Sequence, residues 1–108
     1  MHEPIDSFEN RLRKALNYRG MKPIDLANKL DLNKGIISQY LKGKYYPKQK
    51  RLSEIASILD VSETYLLGYD VPIGYEDNYE AQFSLLSSPN KKIVRKLIDS
   101  LLDEQKRG

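Results

Sequence analysis

The chain has 108 residues, a net charge of +3 and no cysteine. This length suits one domain with a short appendage, and the missing cysteines exclude a disulfide framework or a thiolate metal site. No run of about 18 apolar residues and no signal-peptide core is present, so the sequence predicts no membrane span and a cytoplasmic location. His2 is a lone histidine and leaves no set of residues for zinc ligation or a serine–histidine triad. We therefore expect no metal, no cofactor and no enzyme activity.

Apolar residues at helical spacing begin at the N-terminus, and no alternation of period two indicates a strand. The first helix is expected to begin with Asp6 or Ser7 as its N-cap and to end at Gly20. Its predicted buried face comprises Ile5, Phe8, Leu12, Ala15 and Leu16. A second helix of about two turns starts at Pro23, because a proline at the first helical position lacks only an N–H that has no intrahelical partner.

Asn33 is a typical N-cap for a third helix, which Gly43 is expected to end. A fourth helix and a short fifth helix follow, the second of them stopped by Gly68. The predicted core positions of these three helices are Ile37, Tyr40 and Leu41, then Leu52, Ile55, Ala56 and Leu59, then Tyr65, Leu66 and Leu67. Four tyrosines are assigned to the core or its rim: Tyr18, Tyr40, Tyr65 and Tyr69.

The character of the sequence changes after residue 69. Residues 70–89 contain two prolines and no basic residue, which predicts a linker with a short helical piece at "AQFSLL". Residues 90–106 follow as an amphipathic helix, with Ser88 as its candidate cap and Pro89 in its first turn. Two apolar ridges run along this helix, Ile93–Leu97–Leu101 and Val94–Ile98–Leu102.

Positive charge is concentrated in the third helix and the turn after it. Six lysines and arginines and no acidic residue lie between Lys34 and Arg51. Such a basic stripe on a modestly charged protein indicates a polyanionic partner, with a solvated surface loop as the alternative. The same stretch places Gly35 just inside the third helix, where glycine costs roughly 1 kcal/mol relative to alanine.

The second and third helices, joined by about three residues, have the form of a helix-turn-helix motif at about residues 23–42. The small Ala27 would let them approach closely. The segments "DLANKL", "IISQYLKGK" and "LSEIASILDVSETYLL" resemble the Cro/repressor-type (Xre-type) helix-turn-helix family, with a likeness to phage repressors. The resemblance implies an all-α fold, with a five-helix DNA-binding domain at residues 7–69, a linker at 70–89 and one C-terminal helix at 90–106.

In this family the third helix enters the major groove of DNA with its N-terminus first. The resemblance places four residues at base-reading positions, namely Lys34, Gly35, Ser38 and Gln39. It places five near phosphates, with help from backbone N–H groups at helix starts: Lys22, Asn33, Lys42, Lys44 and Tyr45.

Three positions leave alternatives open. Gly35 would let backbone and DNA come close, or is merely tolerated near a helix start. Ile36 would contact a thymine methyl, or would pack at the edge of the domain. Pro23 stands where many family members have a phosphate-contacting glutamine that also braces a base reader, so the bracing of Gln39 is open and Lys22 would supply the phosphate contact.

The C-terminal helix has three possible partners. The DNA sites of this family are usually two-fold symmetric, which favours a homodimer, with Val94, Leu97, Ile98 and Leu101 as the predicted seam. The same face could instead bind another protein, such as an antirepressor, or pack against the domain.

We therefore predict a sequence-specific double-stranded DNA-binding transcription regulator of bacterial or phage origin. It would be a repressor that occupies an operator as a dimer. The rival class is a protein-interaction module, antitoxin-like or controlled by an antirepressor, whose DNA binding is secondary. The acid-free stretch from Leu32 to Ser53 favours DNA.

Overall fold

Every regular element in the part of the chain that the computed structural model describes, residues 3–74 and 79–107, is a helix. The helices are α1 (Phe8–Tyr18), α2 (Pro23–Lys29), α3 (Lys34–Leu41), α4 (Gln49–Leu59), α5 (Glu63–Leu66), α6 (Tyr79–Ser84) and α7 (Ser88–Arg107). The all-α fold predicted from the sequence is confirmed. Within the described ranges, no helix is long and apolar enough to cross a membrane. His2 lies outside the described residues, as does part of the predicted linker, residues 75–78.

Helix starts and ends follow the predicted chemistry in most places. Ser7 is the cap of α1, since its Oγ accepts a hydrogen bond from the Asn10 N–H at 3.2 Å. Gly43 follows α3 with a φ of 71°, as expected of a helix-ending glycine. The ends of α2 and α4 use aspartates instead, because Asp31 and Asp60 have φ values of 56° and 52°. Aspartate tolerates this left-handed conformation better than most residues do.

One core lies between the first five helices. Its buried apolar residues are Phe8, Leu12, Ala15, Leu16, Leu26, Ala27, Ile37, Tyr40, Leu52, Ile55, Ala56, Leu59, Val61 and Leu66. Three assignments from the sequence were wrong, and the first of them is Leu67, which was predicted to be in the core and is 46% exposed at the end of α5. Ile5 is 66% exposed because α1 begins three residues after it, and Tyr18 is 57% exposed at the end of α1.

The residues after α5 are more ordered than a linker would be. Val71 is buried, and the N–H of Ser62 donates to the Ile73 carbonyl at 2.9 Å, so this segment packs beside the start of α5. The side chain of Gln82 in α6 donates to Thr64 Oγ1 at 2.7 Å. These contacts attach both the first residues of the predicted linker and α6 to the helical domain.

The last helix begins earlier than predicted, at Ser88 rather than residue 90. Ser88 is its first residue and not its cap. Ser87 Oγ takes that role by accepting a hydrogen bond from the Asn90 N–H at 3.4 Å. Pro89 lies in the first turn, as expected.

Arginines in α1 and at its C-cap bind the C-terminal ends of other helices. Arg13 Nη2 lies 3.2 Å from the Leu41 carbonyl, the last residue of α3. Arg19 Nε lies 2.7 Å from the Leu59 carbonyl, the last residue of α4. A cation at these positions satisfies carbonyls that have no intrahelical partner and lies at the negative end of the helix dipole.

Arg11 does the same for α5 and is itself buried. Its Nη1 donates to the carbonyls of Tyr65 at 3.1 Å and Tyr69 at 2.9 Å. Its Nε lies 3.1 Å from Asp6 Oδ2, so the charge is paired as well as hydrogen-bonded. Buried guanidinium groups are tolerated only under such conditions.

Asp6 is held in its charged form by a ring of donors. The pKa of its carboxyl lies well below the usual range because Lys14, Asn10, the N–H of Ser7 and Arg11 all donate to it. A carboxyl whose pKa is lowered on folding stabilises the protein above its unfolded pKa, about 3.9. That contribution is lost as the pH falls from there towards the pKa of the folded state.

Replacing Arg11 with methionine should destabilise the domain by on the order of 3 kcal/mol, because the carbonyls at the end of α5 and the Asp6 carboxylate lose their shared donor. Chemical denaturation followed by circular dichroism measures this change. The matched control is Lys14→Met, whose ammonium touches the same carboxylate but has 61% of its side chain exposed. It should cost much less, and an equal loss in both variants would contradict a structural role for Arg11.

Candidate nucleic-acid interface

The corner between α2 and α3 is tightly packed. These two helices are in more extensive contact than any other pair of helices that the structure describes. Ala27 and Ile37 are fully buried between them, and the N–H of Leu32 donates to the Ala27 carbonyl at 2.8 Å. Asp31, with its left-handed backbone, turns the chain between the helices. Ala27 is therefore buried in the part of the domain where the sequence predicted a small residue.

One open groove lies along the exposed side of α3 and the residues after it. It is lined by Asn33, Gly35, Ile36, Gln39, Lys44 and Tyr45. Five of these are residues that the sequence predicted to contact DNA. The other four do not line it. Lys34 and Lys42 are exposed at the two ends of α3, Lys22 is exposed at the start of α2, and Ser38 is half-buried on α3.

Both ends of α3 are anchored. At its start, Asn33 Oδ1 accepts a hydrogen bond from the Gly35 N–H at 2.7 Å. At its end, Arg13 holds the Leu41 carbonyl. Gly43, directly after α3, lies close to α1, since a Cβ at this position would lie 2.9 Å from Glu9 Oε1. The exposed side chains of α3 therefore stand on a fixed backbone.

The structure gives a reason for glycine at position 35 that the sequence did not suggest. A Cβ at this position would lie 3.1 Å from Asn33 Oδ1, the atom that caps the helix. Such a contact is tight enough to require a small shift of the capping side chain. The glycine thus preserves a short capping hydrogen bond, whether or not DNA also approaches here.

At the start of α2, an aspartate of the same helix occupies a backbone N–H that could otherwise meet a phosphate. The N–H of Lys22 donates to Asp25 Oδ2 at 3.0 Å, so this group is already satisfied. Only the exposed ammonium of Lys22 is open to an anion. Pro23 is the first residue of α2, as predicted.

The lysines around the groove have no ionic partner in the described part of the chain. Lys34, Lys42 and Lys44 are exposed and form no salt bridge to a described carboxylate, whereas Arg51 pairs with Glu54 at 3.6 Å. No acidic residue occupies the first turn of α3 or α4. Positive charge on this face is therefore uncompensated within the described protein.

Aromatic rings form the side of the groove that follows α3. The ring of Tyr45 is 62% exposed and stacks on Tyr40, with centroids 6.5 Å apart and an angle of 25° between the planes. Tyr40 is buried, and burial raises the pKa of its phenol, so it is neutral at physiological pH. The stacking contact with Tyr40 supports one side of the Tyr45 ring.

The predicted seam on α7 is open to solvent. Leu97, Ile98 and Leu101 are 56%, 49% and 51% exposed, and Val94 is half-buried. None of the residues of α7 that the structure describes is buried, so the ridges do not pack into the domain core. The basic side of the helix instead faces α6, where the Arg95 guanidinium lies 5.2 Å from the centre of the Phe83 ring.

Sequence reasoning missed the part that α1 plays at this site. Glu9 and Arg13 are four residues apart and therefore lie on one face of α1, which contacts the end of α3. Their spacing on the polar side of an amphipathic helix was visible in the sequence. Nothing in the sequence identified which helix end they would meet.

Comparison with known proteins agrees with this geometry. A helix-turn-helix family model of the Cro/C1 type, Xre-like, matches residues 12–66, slightly more than half of the chain. The chain therefore belongs to this helix-turn-helix family, a family of DNA-binding transcription regulators. No curated protein sequence matches the chain at a significant level.

Solved structures share the fold over nearly the whole chain. A transcriptional regulator from Listeria innocua has a TM-score of 0.53 and 19% identity, covering 94% of both chains. SinR, in its complex with SinI, has a TM-score of 0.51 and 23% identity, covering 92% of this chain and 94% of that one. The transcriptional regulator BswR has a TM-score of 0.53 and 23% identity, covering 90% and 97%. At these identities the likeness establishes the fold.

The two glycines of the α3 region should respond differently to alanine. Gly43→Ala should cost about 1–3 kcal/mol of stability, because Gly43 has a positive φ and its Cβ would meet the Glu9 carboxylate. Gly35→Ala should change stability by less than about 1 kcal/mol, since the gain in helix propensity opposes the disturbed cap. Urea denaturation of both variants tests this. Equal losses would show that the Asn33 cap tolerates no shift at all.

Proposed function

We propose that this protein is a transcription repressor that binds a two-fold symmetric operator in double-stranded DNA as a homodimer. The third helix, α3, enters the major groove with its N-terminus first. Lys34, Gly35, Ser38 and Gln39 face base edges. Lys22, Asn33, Lys42, Lys44 and Tyr45 approach the sugar–phosphate backbone. Repression follows from occupancy, because a dimer seated on the operator excludes polymerase.

The groove along α3 is the observation on which this proposal rests. Hydrogen-bonding side chains of Asn33, Gln39 and Lys44 line one concave surface on a backbone anchored at both ends. Glutamine can pair with the N6 and N7 of adenine, and lysine with guanine or a phosphate. The uncompensated lysines beside the groove supply the general attraction to DNA on which such binding depends.

The open face of α7 supports a dimer. Five large aliphatic residues on this helix are 49–63% exposed: Ile93, Leu97, Ile98, Leu101 and Leu102. Contiguous apolar surface of this kind usually marks an interface. A second copy of the chain would cover it and would provide the two DNA-binding domains that a symmetric site requires.

The second candidate function is that of a protein-interaction module, antitoxin-like or controlled by an antirepressor, whose DNA binding is secondary. The same exposed face of α7 favours it, because another protein's helix could cover the ridges. The structure of SinR in complex with SinI is that of a regulator with this fold bound to a protein partner. The two candidates differ in whether sequence-specific DNA binding depends on α3 and occurs without a further protein.

Gln39→Ala tests whether α3 discriminates between base pairs. A duplex that the full chain enriches from a random-sequence pool serves as the operator. Loss of the glutamine should weaken operator binding by about 1–3 kcal/mol and relax preference at one position per half-site. Binding to random duplex should hardly change. If the ratio of operator to random affinity stays intact, α3 is not the reader.

Lys44→Ala is the matched comparison, since Gln39 and Lys44 line the same groove and both are exposed. A phosphate contact carries no sequence information, so operator and random duplex should weaken about equally. A dimer that touches about eight phosphates gives a slope of log K against log salt near −7, and this variant should be shallower by about one per lost contact. Both variants should melt like wild type. A wild-type slope shallower than about −2 would contradict a major role in DNA binding.

Leu97→Asp tests the dimer. A carboxylate buried without a partner in an apolar seam costs several kcal/mol, so the variant should sediment as a monomer while the melting of the helical domain is unchanged. Lys96→Asp is the control. It introduces the same charge on the polar side of α7 and should leave a dimer intact. A wild type that sediments as a monomer would contradict self-association and favour capture of another protein.

A further inference from the structure

Ile36 is the only aliphatic side chain among the described residues that line the groove along α3. It is half-buried, and its inner part packs against the hydrophobic core. Its remaining surface opens into the groove beside Gln39 and Lys44. An apolar group is thus held in place among hydrogen-bonding side chains.

The neighbours of Ile36 keep this apolar surface accessible. Gly35 precedes it and has no side chain to cover it. On the other side, Tyr45 stacks on the buried Tyr40 and presents a second apolar wall. Because the helix is anchored at Asn33 and at Leu41, the isoleucine cannot move away from the groove with its backbone.

Among base edges in the major groove, only thymine presents an apolar group, its 5-methyl, next to the O4 acceptor. We propose that Ile36 binds this methyl and thereby selects a thymine in each half-site. This inference rests on the proposed function and adds a specificity-determining residue to it. The thymine must lie close to the base pair that Gln39 contacts, because residues three apart on a helix have Cβ atoms about 5–6 Å apart. Successive bases of one strand rise by about 3.4 Å, so the separation is at most about two base pairs.

The test removes the methyl from the DNA and leaves the protein unchanged. In the duplex enriched from a random pool, each thymine of a half-site is replaced in turn by deoxyuridine, which keeps the hydrogen-bonding edge. One replacement per half-site should weaken binding of the wild-type chain about fourfold, the effect expected for one buried methyl. That position should lie within two base pairs of the one whose preference Gln39→Ala relaxes.

The protein side of the test assigns the effect to one residue. Ile36→Ala should bind the thymine and deoxyuridine duplexes equally, while Ile36→Val, which retains a branched side chain, should keep most of the difference. Ile58→Ala is the matched control. Ile58 is also half-buried against the core, but it lies on α4 outside the groove, so this variant should discriminate as wild type does.

The possible outcomes distinguish failure of the inference on Ile36 from failure of the proposed function. Loss of discrimination in Ile36→Ala alone supports the inference. Discrimination that survives in Ile36→Ala, or its absence at every thymine in the wild type, overturns the inference and leaves the proposed function standing. If no duplex is enriched from the pool, the proposed function itself fails. Should Ile36→Ala unfold, Ile36→Gln takes its place: it keeps the length of the side chain but places an amide in the groove, so it should also bind the two duplexes equally.

Discussion

The fold depends on three arginines, two in α1 and one directly after it, that satisfy the C-terminal carbonyls of three other helices. Arg11, Arg13 and Arg19 reach the ends of α5, α3 and α4 respectively. These helices are short, with 4, 8 and 11 residues, and short helices gain little from propensity alone. A carbonyl that lost its water on folding and found no donor would cost about 1–3 kcal/mol. The polar edge of α1 therefore determines where three neighbouring helices can end.

This arrangement has a direct consequence for the groove. Arg13 fixes the end of α3 and the Asn33 cap fixes its start, so Asn33 is the one side chain lining the groove that also holds the helix in place. The side chains of Gln39 and Lys44 are exposed and are not needed to stabilise the fold. A contact surface on a fixed backbone loses less conformational entropy on binding than a surface that must first be ordered. Supporting residues on α1 are thus largely separate from the side chains of α3 that we propose to contact DNA, and this separation would suit specific recognition.

Local chemistry in the sequence predicted the elements well, because caps, helix-ending glycines and apolar periodicity all act within a few residues. Asn33, Gly43 and the core positions of α3 are examples.

Long-range partners could not be predicted in this way. Nothing near Arg11 in sequence indicates that it would meet carbonyls more than fifty residues away, and Asp31 does not resemble a usual helix-ending residue. Ile5 matched the helical spacing, but the cap at Ser7 took precedence and left it outside the helix. The roles of the groove residues came from family resemblance, and they remain predictions.

The charged residues in the first turns of the helices differ between the proposed DNA-binding face and the rest of the domain. Helices α1, α2 and α5 each have an acidic residue in the first turn, which suits the positive end of the helix dipole. Helices α3 and α4 have none, and Lys34 and Lys50 occupy their first turns instead. Each such lysine opposes the dipole at a cost of roughly 0.3–1 kcal/mol.

A polyanion reverses the sign of this effect, because phosphates interact favourably with both the lysines and the helix starts. Among α1–α5, the two helices without an acidic residue in the first turn are the ones whose N-termini lie within the acid-free stretch from Leu32 to Ser53. Unfavourable local charge that is confined to one face is expected where a protein has been adapted to a charged partner rather than to its own stability.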